Sequence, residues 1–268
     1  IMKKEEVVKV ENFVTLNRNV IRFLTDSNFE VENPIGLKSK TLAVEMNNTI
    51  VNKDVISNLN KTIELCHLSV NNFYITPEVS GIATMIRDER ENSAIILDIG
   101  ANITSIGVYL KSKLIFSDTI PLGGIHITSD LVKGLGTESN EAEKIKVMHG
   151  SVESSSLDDY STIKVQIISE NGDLIYQDIP KSMIVAIIKP RVEEIFEIVF
   201  ERLKKIEPQI ANINRMILTG GTSNLLGIAN IAKSIFSCNV RIGKPIGLIG
   251  VPDIAQSPAF SCLTGLIL

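Results

Sequence analysis

The chain has 268 residues, of which 44% are hydrophobic and 22% charged, as in an ordinary globular protein. A net charge of −4 argues against a protein whose main partner is nucleic acid. The sequence contains no apolar run of the roughly 20 residues that a membrane span needs, and it starts without the apolar segment of a signal peptide. The three cysteines and three histidines share no metal-ligand spacing, so we interpret the cysteines as buried, reduced thiols of a cytoplasmic protein.

The first part of the chain, residues 1–69, predicts a small unit of strands followed by a helix. Apolar and polar residues alternate on both sides of an Asn-Pro-Ile-Gly turn at 33–36. Apolar residues then recur at helical spacing in the segment 54–68. A strand and a helix are predicted for 73–86, and a charged turn for 87–92.

The next part of the chain predicts a hairpin, a further strand and two helices. The segment 94–110, AIILDIGANITSIGVYL, predicts two strands joined by a tight turn, and 113–120 predicts another strand. One helix is predicted just after Gly123-Gly124, and a second one can end at Gly150.

The last part of the chain opens with a polar loop after Gly150. A second hairpin is predicted around Asn171-Gly172, the dipeptide typical of tight hairpin turns. The segment 189–206 predicts an amphipathic helix with Pro190 in its first turn. A strand, a helix, a short strand and an apolar tail follow in 216–268.

Two glycine clusters at strand ends indicate phosphate chemistry. They are Asp98-Ile99-Gly100 and Thr219-Gly220-Gly221-Thr222. Glycines allow backbone N–H groups to approach a phosphate, and an adjacent aspartate can hold the water shell of Mg²⁺ or orient an attacking water. Each cluster alone is weak evidence, because a Gly-Gly pair after a strand is more often an ordinary turn. Neither cluster forms a P-loop or a dinucleotide fingerprint.

The order of these motifs along the chain is more specific than either cluster. It resembles the actin and heat-shock-chaperone ATPase superfamily, and within it the FtsA family of bacterial actin-like cell-division proteins. The resemblance extends over nearly the whole chain. The motifs that carry it are NPIGL (33–37), DERE (88–91), LDIG (97–100), AEKIKVMHG (142–150), PRVEEIFEIV (190–199), ILTGGTSNLLGI (217–228), VRIGKP (240–245) and LTGLIL (263–268).

The resemblance implies an α/β protein with the actin-like ATPase fold, built of ribonuclease-H-like halves and an inserted 1C subdomain. It implies a four-part division of the chain: residues 1–69 as the 1C-like insertion, 70–120 as the rear part of subdomain 1A, 121–150 with 216–268 as subdomain 2A, and 151–215 as subdomain 2B. It also implies a cleft for ATP and Mg²⁺ between 1A and 2A.

The same resemblance assigns roles to individual residues. Asp98 is expected to face Mg²⁺ or the hydrolytic water. The remaining expected nucleotide contacts are Gly100, Asn102 and Thr104 in the second phosphate loop, Glu143 and Lys146 at the ribose and adenine, and Gly220, Gly221 and Thr222 beneath the α-phosphate and adenine. The loop here contains Ala101-Asn102-Ile103 where the family is usually rich in glycine, so nucleotide binding with weak ATPase activity at most is the expectation.

The partners implied by the resemblance are those of a division-site adaptor. It implies FtsZ, whose C-terminal peptide would meet Lys181, Lys189 and Arg191 in 2B, other copies of the chain in filaments, and further divisome proteins through 1C. It also implies a peripheral location on the inner face of the cell membrane. A first phosphate loop is expected before Ile1, and an amphipathic membrane helix after Leu268.

Two other functions remain open at this point. A PilM-like pilus-assembly protein shares the Asp-Ile-Gly-Ala loop, but the NPIGL and PRVEEIFEIV motifs favour the cell-division family. A sugar kinase of the same superfamily would carry further polar sugar-binding residues and a catalytic aspartate in the cleft, and no such set is evident in the sequence.

Overall fold

A computed structural model describes residues 11–26, 29–156, 158–169, 173–206, 210 and 213–268. These residues form a three-stranded, a five-stranded and a two-stranded sheet. None of the helices within the described ranges combines the length and apolar character needed to cross a membrane.

The three-stranded sheet forms a unit of its own near the start of the chain. Strands β1 (Phe13–Thr25), β2 (Glu30–Val31) and β3 (Leu42–Asn52) pair antiparallel in the order β2-β1-β3. The predicted turn at 33–36 lies between β2 and β3, as expected. Helix α1 (Lys53–Leu65) follows directly, and its first turn is capped by the side chain of the preceding residue, as an Asn N-cap should do.

The five-stranded sheet positions the candidate site. It contains β4 (Ser93–Ile99), β5 (Thr104–Leu110) and β6 (Lys113–Ile120), the predicted hairpin and its neighbour. β9 (Arg215–Thr219) lies parallel to β4 and to β10 (Asn239–Ile242), so the order is β10-β9-β4-β5-β6.

Helices cover both faces of this sheet. They are α2 (Thr76–Thr84), α3 (Arg87–Glu91), α4 (Gly124–Leu135), α5 (Ser139–His149), α6 (Lys181–Lys204), α7 (Ile228–Phe236) and α8 (Ser261–Ile267). Alternate residues of β4 point to opposite faces. Ile95, Leu97 and Ile99 join the core beneath α4, α6 and α7, whereas Ala94 and Ile96 join a smaller core on the other face, which α2 and α3 cover.

The two-stranded sheet confirms the second predicted hairpin. Strands β7 (Thr162–Ile168) and β8 (Leu174–Pro180) pair antiparallel. The Asn171-Gly172 turn that was expected to join them lies outside the described residues. β8 leads straight into α6, because Pro180 is the residue that precedes the first turn of that helix.

Helix α6 starts eight residues earlier than predicted, at Lys181, and Pro190 lies in its interior. Ile184, Val185 and Ile188 are buried and extend the apolar face upstream of the predicted start. Proline in a helix removes a hydrogen bond to the carbonyl four residues earlier. Both Pro190 and that residue, Ala186, are exposed, so water can satisfy the carbonyl.

Three smaller expectations are also corrected. The segment 73–75 forms no strand, and most of the predicted charged turn at 87–92 is the short helix α3. The three cysteines are free, but none of them is buried as predicted, since Cys66 is exposed and Cys238 and Cys262 are half-buried.

The predicted boundary between residues 120 and 121 runs through the five-stranded sheet. Strands β4–β6 precede it and strands β9–β10 follow it, yet β4 and β9 are direct neighbours. Strands that share one ladder and one core belong to one structural unit. We therefore propose a junction of units ahead of β4.

Candidate functional site

The two glycine clusters meet at one edge of the five-stranded sheet. Asp98 in β4 pairs with Thr219 in the parallel strand β9, so both strands end side by side. Gly220 follows with a φ of +84°, a conformation that favours glycine. A Cβ on Gly220 would lie 2.5 Å from Asp98 Oδ1 and 2.5 Å from the carbonyl oxygen of Ile99. The backbone turn after β9 therefore packs directly on the aspartate, and this packing leaves no room for a side chain.

The turn between β4 and β5 is fixed by a backbone hydrogen bond within it and by two more from the start of α4. Gly100 N donates to the carbonyl of Ile103 at 2.9 Å, which closes the turn. At the start of α4, Gly124 N donates to the carbonyl of Gly100 at 2.9 Å, and Ile125 N donates to that of Ala101 at 2.8 Å. The carbonyl oxygens of the turn are thus satisfied inside the protein, which keeps the turn in one conformation.

Asp98 is a buried carboxyl group at the base of this turn. It is 8% exposed, and burial raises its pKa to about 6, with the Ser80 hydroxyl acting in the opposite direction. The described residues hold no cluster of three or more His, Cys, Asp or Glu side chains suited to a metal. Mg²⁺ in nucleotide sites usually takes one or two carboxylates, with phosphate and water as the other ligands. A single buried carboxylate beside two glycine turns fits that donor set.

A cavity of about 290 Å³ opens beside the two turns. This volume is near the lower end of the range for small-molecule sites. The cavity brings together four of the predicted residues, Glu143, Lys146, Gly221 and Thr222. Residues that the sequence did not single out complete the lining, and they are Ala101, Val147, Gly150, Asn224, Leu225 and Ala259.

Glu143 and Lys146 lie one turn apart on α5 and form an ion pair of 2.7 Å. Burial raises the pKa of Glu143, but the hydrogen bonds from Lys146 and Thr128 outweigh it and hold that pKa below its ordinary value. Glu143 therefore stays ionised at neutral pH. Thr222, at the other side of the cavity, donates to the carbonyl of Gly100 at 3.0 Å.

One predicted nucleotide contact is misplaced. Thr104 is fully buried at the start of β5, and its hydroxyl donates to the carbonyl of Leu122 at 2.8 Å. The side chain thus ties β5 to the segment before α4 and does not reach the cavity. Asn102, by contrast, is exposed on the turn itself, next to the cavity-lining Ala101.

The three cations predicted to bind a partner do not form one patch. Arg191 donates to both carboxylate oxygens of Asp130, at 2.6 and 3.1 Å, and also pairs with Glu194. Lys189 pairs with Glu193 at 3.8 Å. At about 100° per helical residue, Lys189 and Arg191 lie roughly 200° apart around α6. Lys181, in the first turn of α6, is the remaining candidate.

Comparison with known families gives the identity of the chain. The model of the family described as cell division protein FtsA matches residues 95–265. The chain belongs to the FtsA family. It is 34% identical to the cell division protein FtsA of Rhizobium meliloti over 92% of its length, and 28% identical to that of Escherichia coli K12 over 88%. It spans about half the length of the curated relatives it matches, 56% and 57% in these two cases.

Solved structures confirm the predicted α/β, actin-like fold. The chain superposes on MreB5 of Spiroplasma citri bound to ADP with a TM-score of 0.61, covering 92% of this chain and 86% of that one, at 14% identity. It superposes on a PilM–PilN type IV pilus biogenesis complex with a TM-score of 0.64, covering 95% and 64%, at 16% identity. At these identities the likeness concerns the fold alone.

Proposed function

We propose that the chain is the nucleotide-binding part of an actin-like cell-division protein, and that the nucleotide is ATP with Mg²⁺. The observation that carries this proposal is one cavity lined by residues of both glycine turns, Ala101 and Gly221, and by the ionised Glu143. The buried Asp98 lies at the end of the strand that leads into the first of these turns. MreB5 of Spiroplasma citri, which shares the fold, was solved with ADP and with AMPPNP.

Different residues of the chain contact different parts of the nucleotide in this proposal. The backbone of Gly220 and Gly221 lets a phosphate approach closely, and the turn that contains Gly100 and Asn102 offers further polar groups. Glu143 carries a negative carboxylate at the cavity wall, which accepts hydrogen bonds from hydroxyl groups such as those of ribose. Mg²⁺, when bound, would neutralise phosphate charge, and Asp98 is the carboxylate that would hold it through water.

Binding is better supported than catalysis. The turn after Asp98 contains Ala101-Asn102-Ile103, without the further glycines expected in an efficient hydrolase of this fold. We propose weak ATPase activity at most, with Asp98 as the residue that orients the attacking water.

For the complete protein we propose the role of an adaptor. It links FtsZ filaments to the inner face of the cell membrane at the division site and assembles with itself, and it meets other divisome proteins through a 1C-like unit. Support for this role comes from membership of the FtsA family, since the chain itself spans only part of its relatives.

The surface proposed for the FtsZ C-terminal peptide is narrower than the sequence suggested. It is centred on Lys181 and on the exposed side chains of Tyr176 and Met183, which are 72% and 41% exposed. Arg191 is left out because Asp130 and Glu194 already neutralise it. In the complete protein, Lys181→Glu should weaken binding of this peptide while Arg191→Met does not. Equal effects of the two substitutions would contradict the choice of surface.

Titration of the complete protein with a fluorescent ATP analogue tests the nucleotide proposal. Glu143→Ala should weaken binding about tenfold, because it removes charge-assisted hydrogen bonds. Glu141→Ala is the matched control, since Glu141 lies on the same helix, pairs with Lys144 at 3.3 Å and does not line the cavity. An unmodified protein that binds no ATP, or two variants with equal affinity, would overturn the proposal.

A further inference from the structure

We infer that Thr128 is a positioning residue that connects the α5 wall of the cavity to the turn at 100–103, through Lys146. The inference deepens the proposed nucleotide binding and rests on it. Thr128 lies in α4 and is 3% exposed, so it makes no contribution to the cavity surface itself. Its effect on a ligand has to pass through the residues it bonds.

The starting observation is that Lys146 has no donor left for a ligand. Its ammonium group donates to the Glu143 carboxylate at 2.7 Å, to the Thr128 hydroxyl at 2.9 Å and to the carbonyl of Gly124 at 3.0 Å. An ammonium group has three N–H donors, and all three are used. The lysine side chain is 11% exposed. Lys146 therefore serves as a strut between α5 and α4, in place of the direct contact with ribose or adenine that the family resemblance implied.

The Thr128 hydroxyl holds the side chains of Lys146 and Glu143 in position. It accepts from Lys146 and has two acceptors within reach of its single proton, Glu143 Oε2 at 2.6 Å and the carbonyl oxygen of Gly124 at 3.1 Å. The shorter, charge-assisted contact to the carboxylate is favoured. Glu143 Oε2 therefore accepts hydrogen bonds from within the protein, whereas no described residue donates one to Glu143 Oε1. The hydroxyl and the Lys146 ammonium, which binds the same oxygen, therefore orient the carboxylate together and leave its other oxygen for a ligand.

The same network reaches the phosphate side of the cavity. Gly124, whose carbonyl accepts from Lys146, donates its own N–H to the carbonyl of Gly100. A Cβ on Gly124 would lie 2.6 Å from Thr222 Oγ1 and 3.2 Å from Lys146 Nζ. The network runs without a gap from Glu143 to the turn after Asp98, and a shift of Lys146 moves both ends.

The test uses three threonine variants of the complete protein. Thr128→Val keeps the shape of the side chain but removes the hydroxyl, and Thr128→Ser keeps the hydroxyl. Thr137→Val is the matched control, because Thr137 is 2% exposed and its hydroxyl donates to the carbonyl of Gln166, away from the cavity. Affinity for ATP is measured by calorimetry, and folding by thermal melting.

Thr128→Val should weaken ATP binding about tenfold, the usual effect of losing one hydrogen bond to a charged group. Thr128→Ser should stay within about threefold of the unmodified protein, and Thr137→Val within about twofold, even where Thr137→Val lowers the melting temperature as much as Thr128→Val. This split between affinity and stability separates positioning from a purely structural role.

A double-mutant cycle keeps the test decisive if Thr128→Val folds poorly. Lys146→Met should weaken binding at least as much as Thr128→Val. Thr128→Ala, which also removes the hydroxyl, should weaken binding of the otherwise unmodified protein but add little to Lys146→Met if both residues act through one network. Folded Thr128→Val with unchanged ATP affinity, or Thr128→Ser as weak as Thr128→Val, would overturn the inference while leaving the nucleotide proposal intact. An unmodified protein that binds no ATP would overturn both.

Discussion

The strand β4 and the helix α1 carry equally clear apolar patterns, yet they are buried to very different degrees. Six of the seven residues of β4 are buried, whereas none of the thirteen residues of α1 is. Val55, Leu59 and Ile63 on the apolar face of α1 are 49%, 49% and 37% exposed. An apolar period predicts the type of element and the face that is available for packing, but it says nothing about what packs on that face.

The comparison also explains where the candidate site lies. The five-stranded sheet, covered on both faces, holds two turns side by side with no freedom to separate. Among the residues that the structure describes, the three-stranded sheet and α1 form no comparable core, because neither buried cluster includes a residue from them. Rigid, well-packed elements are what a ligand site needs for accurate placement of its groups. Four pairs of substitutions measure this contrast. Each pair has one member in or around the five-stranded sheet and one in the unit formed by the three-stranded sheet and α1.

The largest effect is expected from truncating a leucine in each region. Leu97→Ala in β4 should lower the free energy of unfolding by about 3–5 kcal/mol, since the side chain is fully buried and leaves a cavity. Leu59→Ala in α1 should cost less than about 1 kcal/mol, because half of that side chain is already exposed. Urea unfolding of both variants gives the comparison, and similar costs would show that α1 is packed as tightly as β4.

The second pair concerns two glycines of positive φ. Gly220→Ala should lower the free energy of unfolding by about 3 kcal/mol or more. The added methyl group would clash with Asp98 and the Ile99 carbonyl, and the positive φ is unfavourable for alanine. Gly36→Ala, at a φ of +85° with nothing within 4 Å, should cost only the backbone strain of about 1 kcal/mol. Thermal melting measures both. Equal shifts would mean that the turn after β9 yields to accommodate a side chain.

The third pair tests the buried carboxyl by its pH dependence. The pKa of Asp98 is raised from 3.8 to about 6 in the folded state, so the unfolded chain loses its proton first as pH rises. Stability is therefore lost between about pH 4 and pH 6 and stays reduced above it. Asp98→Asn should stabilise the ligand-free protein by about 3 kcal/mol at pH 8 and by little at pH 4.

The control for this pair is Asp54→Asn, in the exposed first turn of α1. It should give no stabilisation at pH 8. Denaturant unfolding at the two pH values measures both variants, and a benefit of Asp98→Asn that does not change with pH would exclude burial of the charge as the cause. In the complete protein, Asp98→Asn should also reduce the Mg²⁺ dependence of ATP binding.

The smallest effect is expected from two arginine ion pairs. Arg191 and Asp130 are 26% and 23% exposed and join α6 to α4 through two hydrogen bonds, so Arg191→Met should cost about 1–2 kcal/mol. Arg22 and Glu45 pair at 2.5 Å but are 45% and 43% exposed, so Arg22→Met should cost less than about 1 kcal/mol. Chemical unfolding at low and high salt distinguishes them, because only the exposed pair should be strongly screened. A larger cost at Arg22 would reverse the expected order.

The sequence by itself determined the local elements and the types of residue at the site. The hairpin of β4 and β5, the end of α5 at Gly150 and the two glycine turns all depend on residues close together in the chain, where apolar period and glycine conformation act directly. The order of the motifs also led to the correct family and fold class.

Only the tertiary structure decided which polar groups were free. Thr104 directly follows the predicted turn, but its hydroxyl donates to the carbonyl of Leu122. Arg191 follows the expected proline, but Asp130, 61 residues away in the chain, neutralises it. Pro190 marks a helix start only when nothing apolar continues upstream, and here Ile184 and Ile188 do. The sheet that joins β4 to β9 likewise crosses the predicted boundary. These outcomes depend on residues that are far apart in the chain and are brought into contact by folding. A pattern along the sequence does not report the distances between such residues.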